Sequence, residues 1–257
     1  MSSEPVFTGV GVALVTLFDE SGEVDAGATA EHAARLVELG VRAVLVAGST
    51  GEAAALSVDE RTLLVRAVRK QLPPGTVPVL AGTGAPSARQ AVEFTRSALE
   101  EGADAALVLS PPGIADSRPY YDAVARAAGG IPVLAYHWPA MATPGIPVEA
   151  LPGLPVDGLK DSSGDADRLL KTVTSWDRPL YVGSSALLSY AGPLGCAGAI
   201  LGLANADPER CIAAFAGDAG AQKELADGHF QAGSQFPLGI KRLTAGRFGT
   251  PVFARLG

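Results

Sequence analysis

Lys160 is the residue whose type and position most directly suggest chemistry in this sequence. It closes the mostly apolar run Val156-Asp157-Gly158-Leu159, and of the 20 lysines and arginines it is the one that ends a predicted core strand. A lysine in such a place more often extends its long stem to solvent. Alternatively, burial disfavours the charged form, and the neutral amine then attacks a carbonyl group to form a Schiff base.

Two further features stand at the ends of predicted strands. Tyr136 ends the strand before that of Lys160, where it is either a core aromatic residue or a proton shuttle beside the amine. The loop after the second strand reads Gly48-Ser49-Thr50-Gly51-Glu52. This loop is either a tight turn before a helix or a small nest of N–H and hydroxyl groups suited to a carboxylate. It is not a phosphate-binding P-loop, because no Gly-Lys-Ser/Thr follows.

Eight short runs rich in β-forming residues position these groups. Most are continuously apolar, which is typical of parallel strands that are buried on both faces. The runs are Val10–Val15, Ala43–Ala47, Val77–Ala81, Ala105–Leu109, Pro132–Tyr136, Asp157–Lys160, Leu180–Gly183 and Gly198–Leu201. Their strict alternation with helical segments predicts a (β/α)8 TIM barrel, and the alternative is an open doubly wound sheet.

Helix-start signals stand between the predicted strands. Asp25 is placed to cap a helix that runs to Leu39, and Ser57 with Glu60 forms a capping box. Asp207-Pro208-Glu209 reads as a cap, a proline at the first helical position and an acid in the first turn. We predict one domain over residues 1–257, whose C-terminal region, at about 206–257, is helical.

Composition excludes several classes of protein. The 257 residues are 47% hydrophobic and 18% charged, which is too apolar for a disordered chain. The 27 acidic residues outnumber the 20 basic ones, so neither nucleic acid nor an anionic membrane is an expected partner. No apolar stretch approaches the roughly 18 residues of a membrane span, and no leader segment is apparent. Cys196 and Cys211 cannot form a disulfide framework, so we expect a soluble, cytoplasmic protein.

The sequence argues against a metal-dependent aldolase and against a serine hydrolase. No two histidines share metal-ligand spacing, and there is no Gly-x-Ser-x-Gly elbow. The histidines are His32, His137 and His229. Three aspartates that follow Lys160 are interpreted as helix caps and surface charge around a turn. They are Asp161, Asp165 and Asp167.

Three motifs together resemble those of the dihydrodipicolinate synthase/N-acetylneuraminate lyase family. They are Gly48-Ser49-Thr50-Gly51-Glu52, the Tyr136-x-x-Pro139 turn and Gly158-Leu159-Lys160-Asp161-Ser162-Ser163-Gly164-Asp165. Their order and spacing match, and the resemblance extends from Gly9–Thr16 to Gly198–Asn205. It implies a TIM barrel, a homo-oligomer that is a tetramer or a dimer, and class I aldolase chemistry on pyruvate or another 2-oxo acid with an aldehyde.

The resemblance also implies roles for individual residues. Lys160 corresponds to the Schiff-base lysine and Tyr136 to the proton shuttle. The carboxylate of the 2-oxo acid would be held by one loop, and the hydroxyl of the intermediate by a main-chain carbonyl at the end of the eighth strand. These residues are Gly48, Ser49 and Thr50 for the loop and Ile200 for the carbonyl. No metal or organic cofactor is expected, because the imine itself accepts the electron pair.

Departures from the family pattern concern the second substrate. Met141 replaces the arginine that synthases use to pair with a carboxylate, and a thioether cannot form that pair. Pro112 and Gly113 stand where synthases usually carry a tyrosine pair, and the nearest tyrosines, Tyr120 and Tyr121, fall on the following helix. These departures argue against synthase activity and against a proton relay across a subunit interface.

The sequence therefore favours a Schiff-base lyase similar to 4-hydroxy-2-oxoglutarate aldolases. One alternative is 4-hydroxy-tetrahydrodipicolinate (dihydrodipicolinate) synthase, and another is a paralogue that binds a 2-oxo acid without turnover. His137, Trp138 and Met141 are expected to line the pocket of the second substrate. Their apolar and aromatic character suggests an aldehyde less charged than aspartate semialdehyde.

Overall fold

Eight parallel strands close into a barrel in this computed structural model, which describes residues 4–256. The strands are β1 Gly9–Ala13, β2 Val44–Val46, β3 Val79–Gly82, β4 Ala105–Leu109, β5 Val133–His137, β6 Gly158–Asp161, β7 Leu180–Val182 and β8 Gly198–Leu201. Each strand pairs with the next in the chain, and β8 pairs with β1. The predicted TIM barrel is therefore confirmed, and the open-sheet alternative is wrong. Residues 1–3 and 257 of the predicted domain lie outside the described residues.

Helices surround the barrel and follow its last strand. They are α1 Ala26–Glu38, α2 Val58–Gln71, α3 Ala88–Glu100, α4 Arg118–Ala128, α5 Ala166–Ser175, α6 Leu188–Ala191, α7 Pro208–Phe215, α8 Ala219–Glu224, α9 Ala226–Ser234 and α10 Leu238–Phe248. Within residues 4–256, no helix has the length and apolar character needed to cross a membrane.

The connection between β5 and β6 departs from the strict alternation that the sequence predicts. It holds only a 3-10 helix, Val148–Gly153, with Pro152 inside it. Proline lacks the N–H that an α-helix needs and disfavours the helical conformation of the residue before it. Because Pro139, Pro144 and Pro147 also fall in this connection, an α-helix would be interrupted repeatedly.

The predicted helix caps have mixed outcomes. Asp25 accepts a hydrogen bond from the Ala28 N–H at 2.8 Å, and Ser57 and Glu60 form a reciprocal capping box. Asp207 is the N-cap residue of α7, and Pro208 and Glu209 follow in the first turn as predicted, but the Asp207 side chain makes no capping hydrogen bond. Its carboxylate instead accepts a hydrogen bond from Arg210 Nη1 at 2.6 Å, because this arginine lies one turn farther along the helix.

Alternation along the strands divides the core into two layers. One layer fills the barrel, and the other lies between the strands and the helices. In β5, Leu134 and Tyr136 belong to the barrel interior, whereas Val133 and Ala135 pack in the outer layer. Successive side chains of a strand point to opposite faces. The structure thereby aims Tyr136 at the axis of the barrel.

Candidate active site

Lys160 and Tyr136 are neighbours across the β5–β6 pair. Their Cα atoms are register partners, so their side chains leave the sheet on the same face. Lys160 Nζ lies 4.4 Å from the centroid of the Tyr136 ring. On its other side, Lys160 is in register with Tyr181 of β7, another residue of the barrel interior. The barrel therefore directs the amine inward.

Burial changes the acidity of both groups. It lowers the pKa of Lys160 to about 7, from an ordinary value of 10.5. Desolvation penalises the charged ammonium, and no carboxylate within residues 4–256 forms an ion pair with it. Burial raises the pKa of Tyr136, while hydrogen bonds with the Ser162 and Ser49 side chains oppose the rise. At neutral pH the site therefore holds a partly neutral amine beside a protonated phenol.

Gly183, which directly follows β7, makes room for the amine. A Cβ atom added at Gly183 would stand 3.0 Å from Lys160 Cε and would overlap the Ser162 hydroxyl. Any side chain at this position would displace the lysine stem or Ser162. Gly183 therefore preserves the approach of Lys160 and Ser162 to the cavity.

Asp161 anchors the turn that follows Lys160. Its side chain is 6% exposed and forms an ion pair with Arg168, with Nε and Oδ2 2.6 Å apart. Its other oxygen accepts hydrogen bonds from the N–H and the hydroxyl of Ser163. The interpretation of Asp161 as surface charge is wrong, because it is the last residue of β6 and is buried. Asp165, in contrast, caps α5 through the Arg168 N–H.

The Gly48–Glu52 loop presents unused backbone donors. Among residues 4–256, no acceptor binds the N–H of Ser49 or of Thr50. Two non-glycine residues in the described chain have a positive φ: Ala47, at 50°, directly precedes this loop, and Glu52, at 58°, ends it. Such strain collects where the surrounding structure imposes it, often at functional sites. The loop can therefore offer two N–H groups to a carboxylate.

A cavity of about 190 Å³ joins these groups at the carboxyl ends of the strands. One water needs only about 10–15 Å³, so the cavity has room for a small organic acid. Of the residues predicted from sequence, those that line it are Lys160, Tyr136, Thr50, Ile200 and Trp138. Trp138 stacks on Tyr136 with ring centroids 6.1 Å apart, which extends the apolar wall beyond the strand end.

Four predicted residues do not line this cavity. Gly48 and Ser49 lie in the loop behind Thr50, although the Ser49 side chain reaches Tyr136. His137 points to the outer face of β5, where its Nδ1 accepts a hydrogen bond from the Ile146 N–H at 2.9 Å. Burial lowers the pKa of His137 to about 4, and the Arg168 charge adds to the shift. Met141 is 49% exposed on the loop after β5.

The tyrosines nearest to Pro112 and Gly113, where synthases carry a tyrosine pair, hydrogen-bond to the backbone of the barrel. Tyr120 donates its hydroxyl to the Ala85 carbonyl at 3.0 Å, and Tyr121 donates to the Val108 carbonyl at 2.9 Å. Both side chains are buried on α4, as the sequence predicts for their helix, and neither lines the cavity. They therefore do not replace the tyrosine pair of the synthases.

Sequence reasoning missed part of the cavity wall. Ser185 and His229 line the cavity, as does Phe236 before α10. Ser185 follows β7, and strand ends are where barrel enzymes build their sites, so its position was an available signal. His229 has no such signal, because its place depends on how α9 packs over the barrel.

Comparisons with known proteins agree with this architecture. The chain matches the Dihydrodipicolinate synthetase family over residues 6–255. An uncharacterized DapA-like lyase of Halobacterium salinarum is 34% identical over 269 aligned residues, covering 95% of this chain and 88% of that protein. A probable mitochondrial 4-hydroxy-2-oxoglutarate aldolase of Emericella nidulans is 33% identical, covering 82% of this chain and 74% of that protein.

A solved structure shows the same similarity in three dimensions. Dihydrodipicolinate synthase from Aquifex aeolicus superimposes with a TM-score of 0.83 at 28% identity. The match covers 91% of this chain and 86% of that one. On the family match and the curated relatives together, the chain belongs to the dihydrodipicolinate synthetase family and is a lyase of that family's class.

Proposed function

We propose that the protein is a Schiff-base-forming aldolase that releases pyruvate from, or condenses it with, an aldehyde. The observation that carries this proposal is the Lys160 amine, which is buried in the barrel cavity with its pKa lowered to about 7. A lysine of ordinary pKa is almost entirely protonated at neutral pH, whereas a pKa of about 7 leaves a substantial fraction of this amine neutral. A neutral amine is the form that attacks a carbonyl.

The cleavage reaction follows from the groups around the amine. Lys160 Nζ attacks the C2 carbonyl of a 4-hydroxy-2-oxo acid, and loss of water gives a protonated imine. The C4 hydroxyl gives its proton to a base, the C3–C4 bond breaks, and the electron pair moves into the imine to form an enamine. The aldehyde leaves, C3 takes up a proton, and hydrolysis releases pyruvate and the free amine.

Two parts of the site support these steps. Tyr136 stands beside the amine and is placed to relay the protons. The N–H groups of Ser49 and Thr50 supply donors for the carboxylate without a second cation next to Lys160. No metal or organic cofactor enters the proposal, because the protonated imine itself accepts the electron pair.

The cavity wall favours aldolase chemistry with an aldehyde that carries no carboxylate. It speaks against synthase chemistry and equally against 4-hydroxy-2-oxoglutarate itself, whose aldehyde product, glyoxylate, is a carboxylate. Among the described residues that line the cavity, Lys160 is the one aspartate, glutamate, lysine or arginine. A second substrate that carries its own carboxylate therefore finds no arginine for a bidentate pair. A protein that only binds a 2-oxo acid has no use for a desolvated amine, which speaks against that alternative.

Borohydride trapping tests the proposal directly. The protein is incubated with pyruvate, reduced, and examined as intact protein and as peptides by mass spectrometry. We expect a reduced pyruvyl adduct on the peptide that contains Lys160. If the folded protein forms no adduct with pyruvate or with larger 2-oxo acids, Lys160 is unreactive and the binding alternative is the better one.

The lowered pKa of Lys160 predicts a distinct pH profile. Exchange of the C3 protons of pyruvate for deuterium requires the imine and can be followed by NMR. We expect kcat/KM for exchange to rise about tenfold per pH unit below pH 7 and to level off above it, because the neutral amine is then fully populated. A rate that keeps rising to pH 10 would show an ordinary lysine.

Tyr136→Phe separates proton relay from imine formation. We expect this variant to form the trapped adduct but to turn over about 10²–10⁴-fold more slowly, because a positioned acid–base group contributes that range. Tyr190→Phe is the control, since Tyr190 is 38% exposed and lies outside the cavity. Turnover by the Tyr136 variant at the rate of the control would assign the relay to another group.

A further inference from the structure

A second polar group faces the cavity of Lys160, and the proposed mechanism does not use it. Ser185 Oγ and His229 Nδ1 are 2.9 Å apart, within hydrogen-bond distance, and both residues line the cavity. Ser185 follows β7, and His229 lies on α9. Two distant segments of the chain therefore bring a hydroxyl and an imidazole to one place on the wall.

Ser185 is held in place before any substrate binds. Gln222 of α8 donates its amide to the Ser185 carbonyl at 2.9 Å, and its amide oxygen accepts from the Ser189 N–H at 3.0 Å. Ser185 is buried and His229 is partly buried. Because these contacts fix the backbone of Ser185, little freedom remains to be lost when a ligand binds.

The wall around this pair is mostly apolar. Trp138 and Phe236 meet edge to face at 5.3 Å, and apolar residues continue the surface. The apolar continuation consists of Leu203, Ala232 and Ile240. Of the other hydroxyls, Ser162 contacts Tyr136, Thr50 lies in the carboxylate loop, and Ser184 accepts a hydrogen bond from the Ala186 N–H at 3.3 Å.

The hydrogen-bonding capacity of the pair matches an alcohol. When His229 Nδ1 accepts the Ser185 proton, Nε2 carries the other proton and Ser185 Oγ keeps free lone pairs. In the other tautomer, Nδ1 donates, the Ser185 hydroxyl is the free donor and Nε2 the free acceptor. Either arrangement offers one donor and one acceptor. Because Nδ1 and Nε2 point to different sides of the ring, one ligand group bonds to Ser185 Oγ and not to both residues. A hydroxyl fits Ser185 in either tautomer, since it can donate to the free lone pairs or accept the free proton.

We propose that Ser185 and His229 form the subsite for a hydroxyl group on an uncharged aldehyde. The inference rests on the proposed aldolase function and names the class of its second substrate. An aldehyde without a hydroxyl leaves the remaining donor or acceptor of Ser185 without a partner inside an apolar wall, which disfavours it. An aldehyde with a carboxylate finds no arginine or lysine on this part of the described wall.

Aldol addition of pyruvate to matched aldehydes tests the subsite. The probes are glycolaldehyde against acetaldehyde, glyceraldehyde against propionaldehyde, and glyoxylate as the charged case. We expect the wild-type kcat/KM for each hydroxyaldehyde to exceed that for its partner at least about tenfold, as expected when a site built to bind a hydroxyl meets an analogue without one. His229→Phe and Ser185→Ala should each lower this ratio at least fivefold.

Controls separate the subsite from the mechanism and from folding. Phe230 is next to His229 in the chain and is 70% exposed. Phe230→Ala should therefore keep the wild-type ratio of hydroxyaldehyde to plain aldehyde. His229→Gln retains a donor and an acceptor, so it should keep a larger part of this ratio than His229→Phe does. It also tests the subsite if His229→Phe or Ser185→Ala fails to fold. Equal losses on both members of each aldehyde pair would overturn the subsite, as would a wild-type preference for glyoxylate or the plain aldehydes. Absence of trapped pyruvate would instead overturn the proposed function itself.

Discussion

Lys160→Met should abolish pyruvate trapping and lower turnover at least about 10³-fold, as expected when a covalent nucleophile is removed. Methionine has a similar length and fits an apolar surrounding, so the barrel should remain intact. The variant should also be more stable than the wild type near neutral pH. In the wild type, the unfolded chain keeps the proton up to about pH 10.5, whereas the folded protein releases it near pH 7.

The sign of this difference gives a second readout. Between pH 7 and 10.5 the unfolded state binds more protons, so the free energy of unfolding of the wild type rises with pH across that window. The variant lacks this term, and its stability advantage should shrink as the pH approaches 10.5. Urea denaturation at several pH values measures it, with Lys223→Met of the exposed face of α8 as the control. A stability difference between the Lys160 variant and the wild type that does not change with pH would contradict a desolvated amine at this position. Pyruvate trapped by the variant would show that the nucleophile is another residue.

The barrel and the centre of its site were accessible from sequence because both depend on local patterns. Continuously apolar runs predict parallel strands, and barrel sites stand where such strands end. Since successive side chains of a strand alternate, an inward Tyr136 requires an outward His137, and period two alone argues against His137 in the pocket.

Other features depend on contacts that no spacing rule supplies. Ser185 and His229 are 44 residues apart and meet because α8 and α9 pack over β7. The predicted strand ends at Lys160, whereas β6 continues to Asp161. Asp161 is therefore buried and paired with Arg168, and it is not a surface charge. Such pairs follow from tertiary packing, so they appear only when the elements are assembled.

Lys241→Met should cost about 3–5 kcal/mol of unfolding free energy, because it leaves one charge of a buried ion pair without its partner. Lys241 Nζ and Glu52 Oε1 form this pair, and both side chains are 0% exposed. Lys241 also donates to the Phe253 carbonyl at 2.7 Å. Glu52 accepts from the N–H groups of Arg255 and Leu256 at 2.8 and 2.7 Å, so the pair ties the C-terminal segment to the carboxylate loop.

A double-mutant cycle with Glu52→Gln distinguishes a buried charge pair from ordinary packing. The double variant should recover at least half of the loss, because no uncompensated charge remains and the new amide can still accept an N–H. Lys171→Met breaks the exposed pair with Glu149 and should change stability by less than about 1 kcal/mol. Additive losses in the cycle would mean that the two charges do not depend on each other. Because Glu52 directly follows the Ser49–Gly51 segment, a loosened pair should also raise KM for pyruvate more than it lowers kcat.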